Sequence, residues 1–144
     1  MHLKGPWQFE WIDQSTPSGP SHVEGENSPL LRQGRAKMPA DWRSLFGEAS
    51  GCVRFRRRFH CPTNLEPREQ VFIVFDGVGG AARVALNENL LGTSTHDGTT
   101  AEFDITDLLE PANELVVDLE FDTSRAEATD GGLWGPVAIE IRST

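Results

Sequence analysis

Val53-Arg54-Phe55-Arg56-Arg57-Arg58-Phe59-His60 reads as a strand with two unlike faces. Side chains alternate along an extended chain, so Val53, Phe55, Arg57 and Phe59 point one way and Arg54, Arg56, Arg58 and His60 the other. One face is apolar and one basic, and an apolar sheet face needs a second layer to cover it. Arg57 falls on the apolar face, where it is expected to be partly buried and paired with a carboxylate. Cys52 and Cys61 flank the strand nine steps apart, a Cα separation of about 30 Å in an extended chain. A disulfide requires about 7 Å or less. The two are therefore read as free thiols, and their spacing is not that of metal ligands.

The same alternation recurs outward from this strand. Gln70 to Asp76 carries Val71-Phe72-Ile73-Val74-Phe75, the apolar run of a central strand covered on both faces. Ala81 to Leu86 follows the Gly77-Val78-Gly79-Gly80 turn, and Asn87-Glu88-Asn89 turns the chain into a short Leu90-Leu91-Gly92 strand. Thr93 to Thr100 is a polar loop. Glu102-Phe103-Asp104-Ile105 is extended, and Thr106 is expected to cap the turn Asp107-Leu108-Leu109. Glu114 to Asp122 sends Leu115, Val117, Leu119 and Phe121 inward, with Asp118 and Glu120 outward. After a second long loop, Thr123 to Gly132, the closing strand Gly135 to Arg142 sets Val137, Ile139 and Ile141 on one face.

Towards the N-terminus, Pro39 to Gly47 suits one helical turn closed by glycine, and Leu30 to Lys37 is extended. Residues 13–29, rich in Ser, Pro and Gly, form a long mobile loop. Trp7, Phe9 and Trp11 share one face of the first strand. Seven to nine strands, almost no helix and no repeat period predict an all-β two-sheet sandwich, residues 1–144 being a single domain.

The totals exclude several functions. At 144 residues the chain suits one domain and cannot hold a (β/α)8 barrel, which needs about 200. A net charge of −9 argues against a nucleic-acid partner. No apolar run approaches the ~20 residues of a membrane span. The opening Met1 to Trp7 shows no secretory h-region, which leaves the compartment open. The glycine run 77–80 lacks the lysine and helix of a phosphate loop. No Gly-x-Ser-x-Gly elbow is present, and the four histidines are scattered.

Taken in order, a set of short motifs points to a family. Pro39-Ala40-Asp41-Trp42 precedes Gly51 to Phe59, and Phe75-Asp76-Gly77-Val78 follows. Val84-Ala85-Leu86-Asn87 comes next with Leu91-Gly92, then Phe103-Asp104-Ile105-Thr106, Asn113-Glu114-Leu115 and Gly132-Leu133-Trp134-Gly135-Pro136-Val137. Over residues 39 to 142 this resembles the N-terminal jelly-roll, galactose-binding-like domain of family 2 glycoside hydrolases, the β-galactosidase, β-glucuronidase and β-mannosidase group. Residues 1 to 38 match it only at Leu3 to Phe9.

Physically, most of these motifs are scaffold. Gly77 permits positive φ after a central strand, Asn87 suits a tight turn, and Asp104 with Thr106 can bind neighbouring amides to fix a chain reversal. The resemblance implies that catalysis belongs to a separate barrel, so the chain is expected not to be an enzyme. Some members place an acidic side chain just before the Leu-Trp pair; here Gly132 stands there, with Asp130 two residues earlier. Folds of this kind often hold a structural calcium, but no loop has the dense Asp/Asn spacing that binds it, so no cofactor or metal is assigned.

Sugars stack on flat aromatic surfaces with a hydrogen-bonding edge. Trp42, after a turn, and Trp134, after a glycine pair, are therefore the carbohydrate candidates, with His96, Asp97 and Asp130 as polar loop neighbours. Core packing is the plainer reading of either tryptophan, and a solvated loop that of the polar residues. The stripe Arg54, Arg56, Arg58 could take an anionic sugar through bidentate contacts. More simply, it opposes an acidic strand bearing Asp118 and Glu120. The expectation is a non-catalytic carbohydrate-binding module, alone or as a remnant of a larger hydrolase. The alternative is a protein-docking domain that packs on a barrel or another subunit.

Overall fold

The computed structural model describes residues 2–15, 33–40, 42–47, 49–63, 65–95, 100–122, 132–133 and 135–143. The elements are β1 (Pro6–Ser15), β2 (Gln33–Lys37), α1 (Trp42–Phe46), β3 (Ser50–His60), β4 (Glu69–Phe75), β5 (Ala81–Leu86), β6 (Asn89–Thr95), β7 (Ala101–Asp104), a 3₁₀ turn (Thr106–Leu108), β8 (Ala112–Phe121) and β9 (Val137–Ser143). They build a six-stranded sheet, order β2-β1-β3-β8-β5-β6, and a three-stranded one, order β7-β4-β9. Every named pairing is antiparallel.

The alternation seen in the sequence is the alternation of burial. Val53, Phe55 and Phe59 of β3 and Leu115, Val117, Leu119 and Phe121 of β8 are buried between the sheets. Three strands cannot cover six, and α1 covers the remainder. Its Phe46 meets Phe9, Trp11 and Phe55, while its Trp42 stands edge-on to Trp11 at 5.6 Å and beside Phe121 at 5.4 Å. Such aromatic contacts add about 0.5–1.5 kcal/mol each beyond the area they bury. Gly47 closes the turn at φ +63°, its amide donating to the Arg43 carbonyl at 2.9 Å.

Several expectations are corrected. Thr106 is not the cap of its own turn: Asp104 Oδ1 accepts from the Thr106 amide at 2.9 Å and from its hydroxyl at 2.6 Å. That frees Thr106 Oγ1 to accept from the Val71 amide at 2.9 Å, tying the turn to β4. Gly77 is not the positive-φ residue of its run; Gly80 is, at φ +101°. Ile141 lies 46 % exposed rather than inward. β9 is an edge strand, and the N-terminal segment reaches only its start, through the His2–Ala138 bridge and the Leu3 amide on the Val137 carbonyl. β6 runs beyond Leu90-Leu91-Gly92 to Thr95, because β5 offers it a ladder back to Ala81.

Candidate functional site

Two surfaces stand out, and the register of the strands defines both. The first is one end of the sandwich. β1 ends at Ser15 opposite Ser50, β8 at Phe121 opposite Gly51, and β6 at Thr95 opposite Ala81, where β5 begins. β4 ends there too, with Phe75 opposite both Ala101 and Val137. Strands β1, β6 and β8 therefore end together here, at Ser15, Thr95 and Phe121.

Main-chain contacts hold the floor of this end together. Gly79 and Gly132 exchange amide–carbonyl hydrogen bonds at 2.9 Å, the Ala40 amide donates to the Leu133 carbonyl at 3.0 Å, and the Gly135 amide donates to Gly77 at 3.1 Å. A side chain at Gly132 (φ +76°) would be strained and would sit 3.3 Å from the Trp42 amide nitrogen. The local backbone therefore favours glycine at position 132. At the rim Asp76 is exposed, 3.5 Å from the Thr100 hydroxyl.

Of the carbohydrate candidates, Trp42 is fully buried, and its indole Nε1 donates to the Ala49 carbonyl at 2.8 Å. Neither ring face is free to take a sugar; the helical turn that carries it plugs the sandwich. His96, Asp97, Asp130 and Trp134 lie outside the described residues, as do residues 16–29 of the expected long loop, whose first residues, Asp13 to Ser15, instead continue β1 along β3. Cys52 and Cys61 form no disulfide and are partly buried. No group of three or more His, Cys, Asp or Glu among the described residues is placed to hold a metal ion.

The second surface is the outer face of the six-stranded sheet. Arg54 meets Asp118 as a fork, Nε to Oδ1 at 2.7 Å and the terminal nitrogen to Oδ2 at 3.0 Å. That hydrogen bond, more than any other cause, raises the Arg54 pKa above its ordinary value. The other two stripe arginines are held loosely, Arg56 to Glu10 at 3.7 Å and Arg58 to Glu114 at 3.8 Å. The acidic neighbours are thus Asp118, Glu114 and Glu10; Glu120 sits opposite Cys52 instead. Arg57 makes no carboxylate pair among the described residues, and its guanidinium donates to the carbonyls of Lys4 and Arg58. Reach explains it: the N-terminal crossing presents carbonyls there, and these satisfy the fork without a second buried charge.

Sequence reasoning missed Arg35. It lies opposite Gln8 on β1, which in turn lies opposite Arg56 on β3. Alternation along Gln33-Gly34-Arg35-Ala36-Lys37, with Ala36 buried, puts Arg35 outward. What the sequence could not supply was the neighbouring strand. A groove of about 400 Å³ runs over Gln8, Phe9, Glu10, Gln33, Gly34, Arg35, Arg54 and Arg56.

The family profile described as the glycosyl hydrolase 2 galactose-binding domain-like domain matches residues 48–133. The chain belongs to that family. A β-galactosidase of Erwinia tasmaniensis is 26 % identical over 138 residues, covering 80 % of this chain and 13 % of that protein. Among solved structures, a Bifidobacterium dentium β-glucuronidase complexed with coumarin-3-O-glucuronide superposes with a TM-score of 0.70 at 20 % identity, over 99 % of this chain and 29 % of its own. A Faecalibacterium prausnitzii β-glucuronidase gives 0.72 at 18 % identity, over 99 % and 31 %. A rhamnosidase from Novosphingobium sp. PP1Y gives 0.68 at 17 % identity, over 98 % and 15 %. At these identities the structures share the fold, and that it occurs in both β-glucuronidases and a rhamnosidase shows that the fold alone fixes no sugar. The chain spans less than a third of the length of each.

Proposed function

We propose that this galactose-binding-like domain is a non-catalytic carbohydrate-binding module, acting alone or as a remnant of a larger hydrolase. The observation that carries the reading is the gathering of chain excursions at one end of a family 2 galactose-binding-like sandwich. The chain neighbours of His96, Asp97, Asp130 and Trp134, namely Thr95, Thr100, Gly132 and Leu133, all belong to that end. In this reading Trp134 supplies the stacking surface and His96, Asp97 and Asp130 the polar contacts. A glycosidase needs two carboxyls flanking the scissile bond, and no motif in the sequence singles out such a pair.

Protein docking is the alternative, and an apolar patch of several hundred Å2 would favour it. The exposed large apolar side chains among the described residues, Ile12, Leu90 and Ile141, lie on β1, β6 and β9. Three strands separate β1 from β6, and β9 is in the other sheet, so they build no common patch.

An amide-shift titration with galactose, mannose and glucose tests the proposal. Millimolar, salt-insensitive binding should move the amides of Asp76 to Gly80, Thr100 and Gly132, and Trp134→Ala should abolish the shifts. Silence across the neutral panel at saturating concentration would overturn it in favour of docking.

A further inference from the structure

The cross-strand register sorts the outer face of the six-stranded sheet into rows. One row reads Gln33, Glu10, Arg54, Asp118, Arg83, Thr93. Its charges alternate in sign from strand to strand, and it holds the forked Arg54–Asp118 pair. Opposite charges directly across a ladder stabilise one another, so this row is self-satisfied. The row beside it reads Arg35, Gln8, Arg56, Val116, Ala85, Leu90. It carries two arginines and no acid.

The hydrogen-bonding state of those arginines agrees with the row. Arg35 has no polar partner among the described residues. Arg56 reaches Glu10 only diagonally, at 3.7 Å, and its Nε is buried with no hydrogen-bond acceptor. A guanidinium offers five donors in a planar fork matched to a carboxylate, and an unmade bond on a buried donor is costly. Arg58, loosely paired and with its side chain 86 % exposed, extends the positive strip along β3. The groove over Arg35, Arg54 and Arg56 shares Gln8, Arg35 and Arg56 with a second, of about 370 Å³, that continues over Pro6, Arg57 and Arg58. Volumes of this size are those of small-molecule sites.

We propose that this face binds a uronate-bearing oligosaccharide, its carboxylates taken by Arg35, Arg56 and Arg58. Arg35 and Arg56 stand two strands apart, so the ligand presents carboxylates about 10 Å from one another. Gln8 lies between them and Gln33 beside them, amides suited to hydroxyl groups. Val116, Ala85 and Leu90 continue the row as an apolar strip on which a sugar ring's C–H face can rest. An acidic peptide would match the charge, but the two grooves offer no repeated apolar pockets for its side chains. The inference rests on the carbohydrate reading and adds a ligand class and a second surface to it.

Titrating the whole chain with trigalacturonate at low ionic strength tests it, with neutral galactotriose and a short poly-glutamate as controls. Trigalacturonate should shift the amides of Gln8, Arg35 and Arg56 and weaken as salt is added. Arg35→Ser and Arg58→Ser, both at exposed positions, should each reduce affinity about two- to fivefold with the fold intact. Shifts by trigalacturonate only at Asp76 to Gly80 and Gly132, equal binding by poly-glutamate, or no loss in either variant would overturn the face as a uronate site. If the neutral sugars bind at the loop end while trigalacturonate leaves β1–β3 unmoved, this inference fails alone. If every sugar is silent, it falls together with the carbohydrate reading.

Discussion

The two ends of this sandwich are closed by different chemistry. At one end, side chains do the work. Asn113, 2 % exposed, accepts from the Glu110 amide at 2.8 Å and donates to the Glu110 carbonyl at 2.8 Å, while its Oδ1 also accepts from Asn87 at 2.9 Å. Asn87, at φ 51°, in turn accepts from the Glu114 amide, and Asp104 with Thr106 completes the set. At the other end main-chain hydrogen bonds across glycines hold the floor over the buried Trp42. Polar side chains spent on the protein's own backbone are not available to a ligand.

Removing the side-chain knot should cost most. Asn113→Ala leaves the Glu110 amide, the Glu110 carbonyl and Asn87 short of partners, and a loss of about 3 kcal/mol is expected in urea unfolding. A loss below about 1 kcal/mol would mean that end is held by something else. Next comes the glycine end. A Cβ on Gly135 would lie 2.7 Å from the Gly77 nitrogen and 2.8 Å from the Asp76 carbonyl carbon. Backbone cannot swing aside as a flexible side chain does, so Gly135→Ala should cost about 2 kcal/mol, read as a fall in midpoint at unchanged m-value. Unchanged stability would show that the glycine contacts are slack.

The smallest effect belongs to Asp104→Ala, about 1 kcal/mol at neutral pH, as for loss of a cap. It has a distinctive pH dependence. Hydrogen bonds from the Thr106 hydroxyl, then from its amide, lower the Asp104 pKa in the folded chain. A lowered folded pKa means the carboxylate stabilises fully above its unfolded value of about 3.9, and that stabilisation fades as pH falls through the folded value. The gap between wild type and variant should therefore be constant above about pH 5 and close below about pH 4. A gap that widens on acidification would contradict the assignment of the charged form to this turn.

Much of the fold was legible because strands write their burial at every second residue. Val53 to Phe59 and Leu115 to Phe121 gave the inner face directly, and Asn87 gave its turn. Elements whose role depends on a distant partner were not legible in that way. Thr106 looked like a local cap until Val71 on β4 took its hydroxyl, and Arg57 looked like half of an ion pair until the Lys4 carbonyl reached it. At the candidate site, Trp42 could be named but not placed. Its burial depends on α1 filling the half of the large sheet that three strands leave bare.

By itself the sequence determined most of the inward-facing positions, the Asn87 turn and a two-layer β-sandwich, because alternation and turn chemistry are local properties. Tertiary structure alone decided which strands are neighbours. It set Asp118 on Arg54, left Arg35 and Arg56 in a row without an acid, and brought the Trp42 backbone within 3.3 Å of where a Cβ on Gly132 would lie. Register and close approach are relations between segments far apart in the chain, and no periodicity within one segment encodes them.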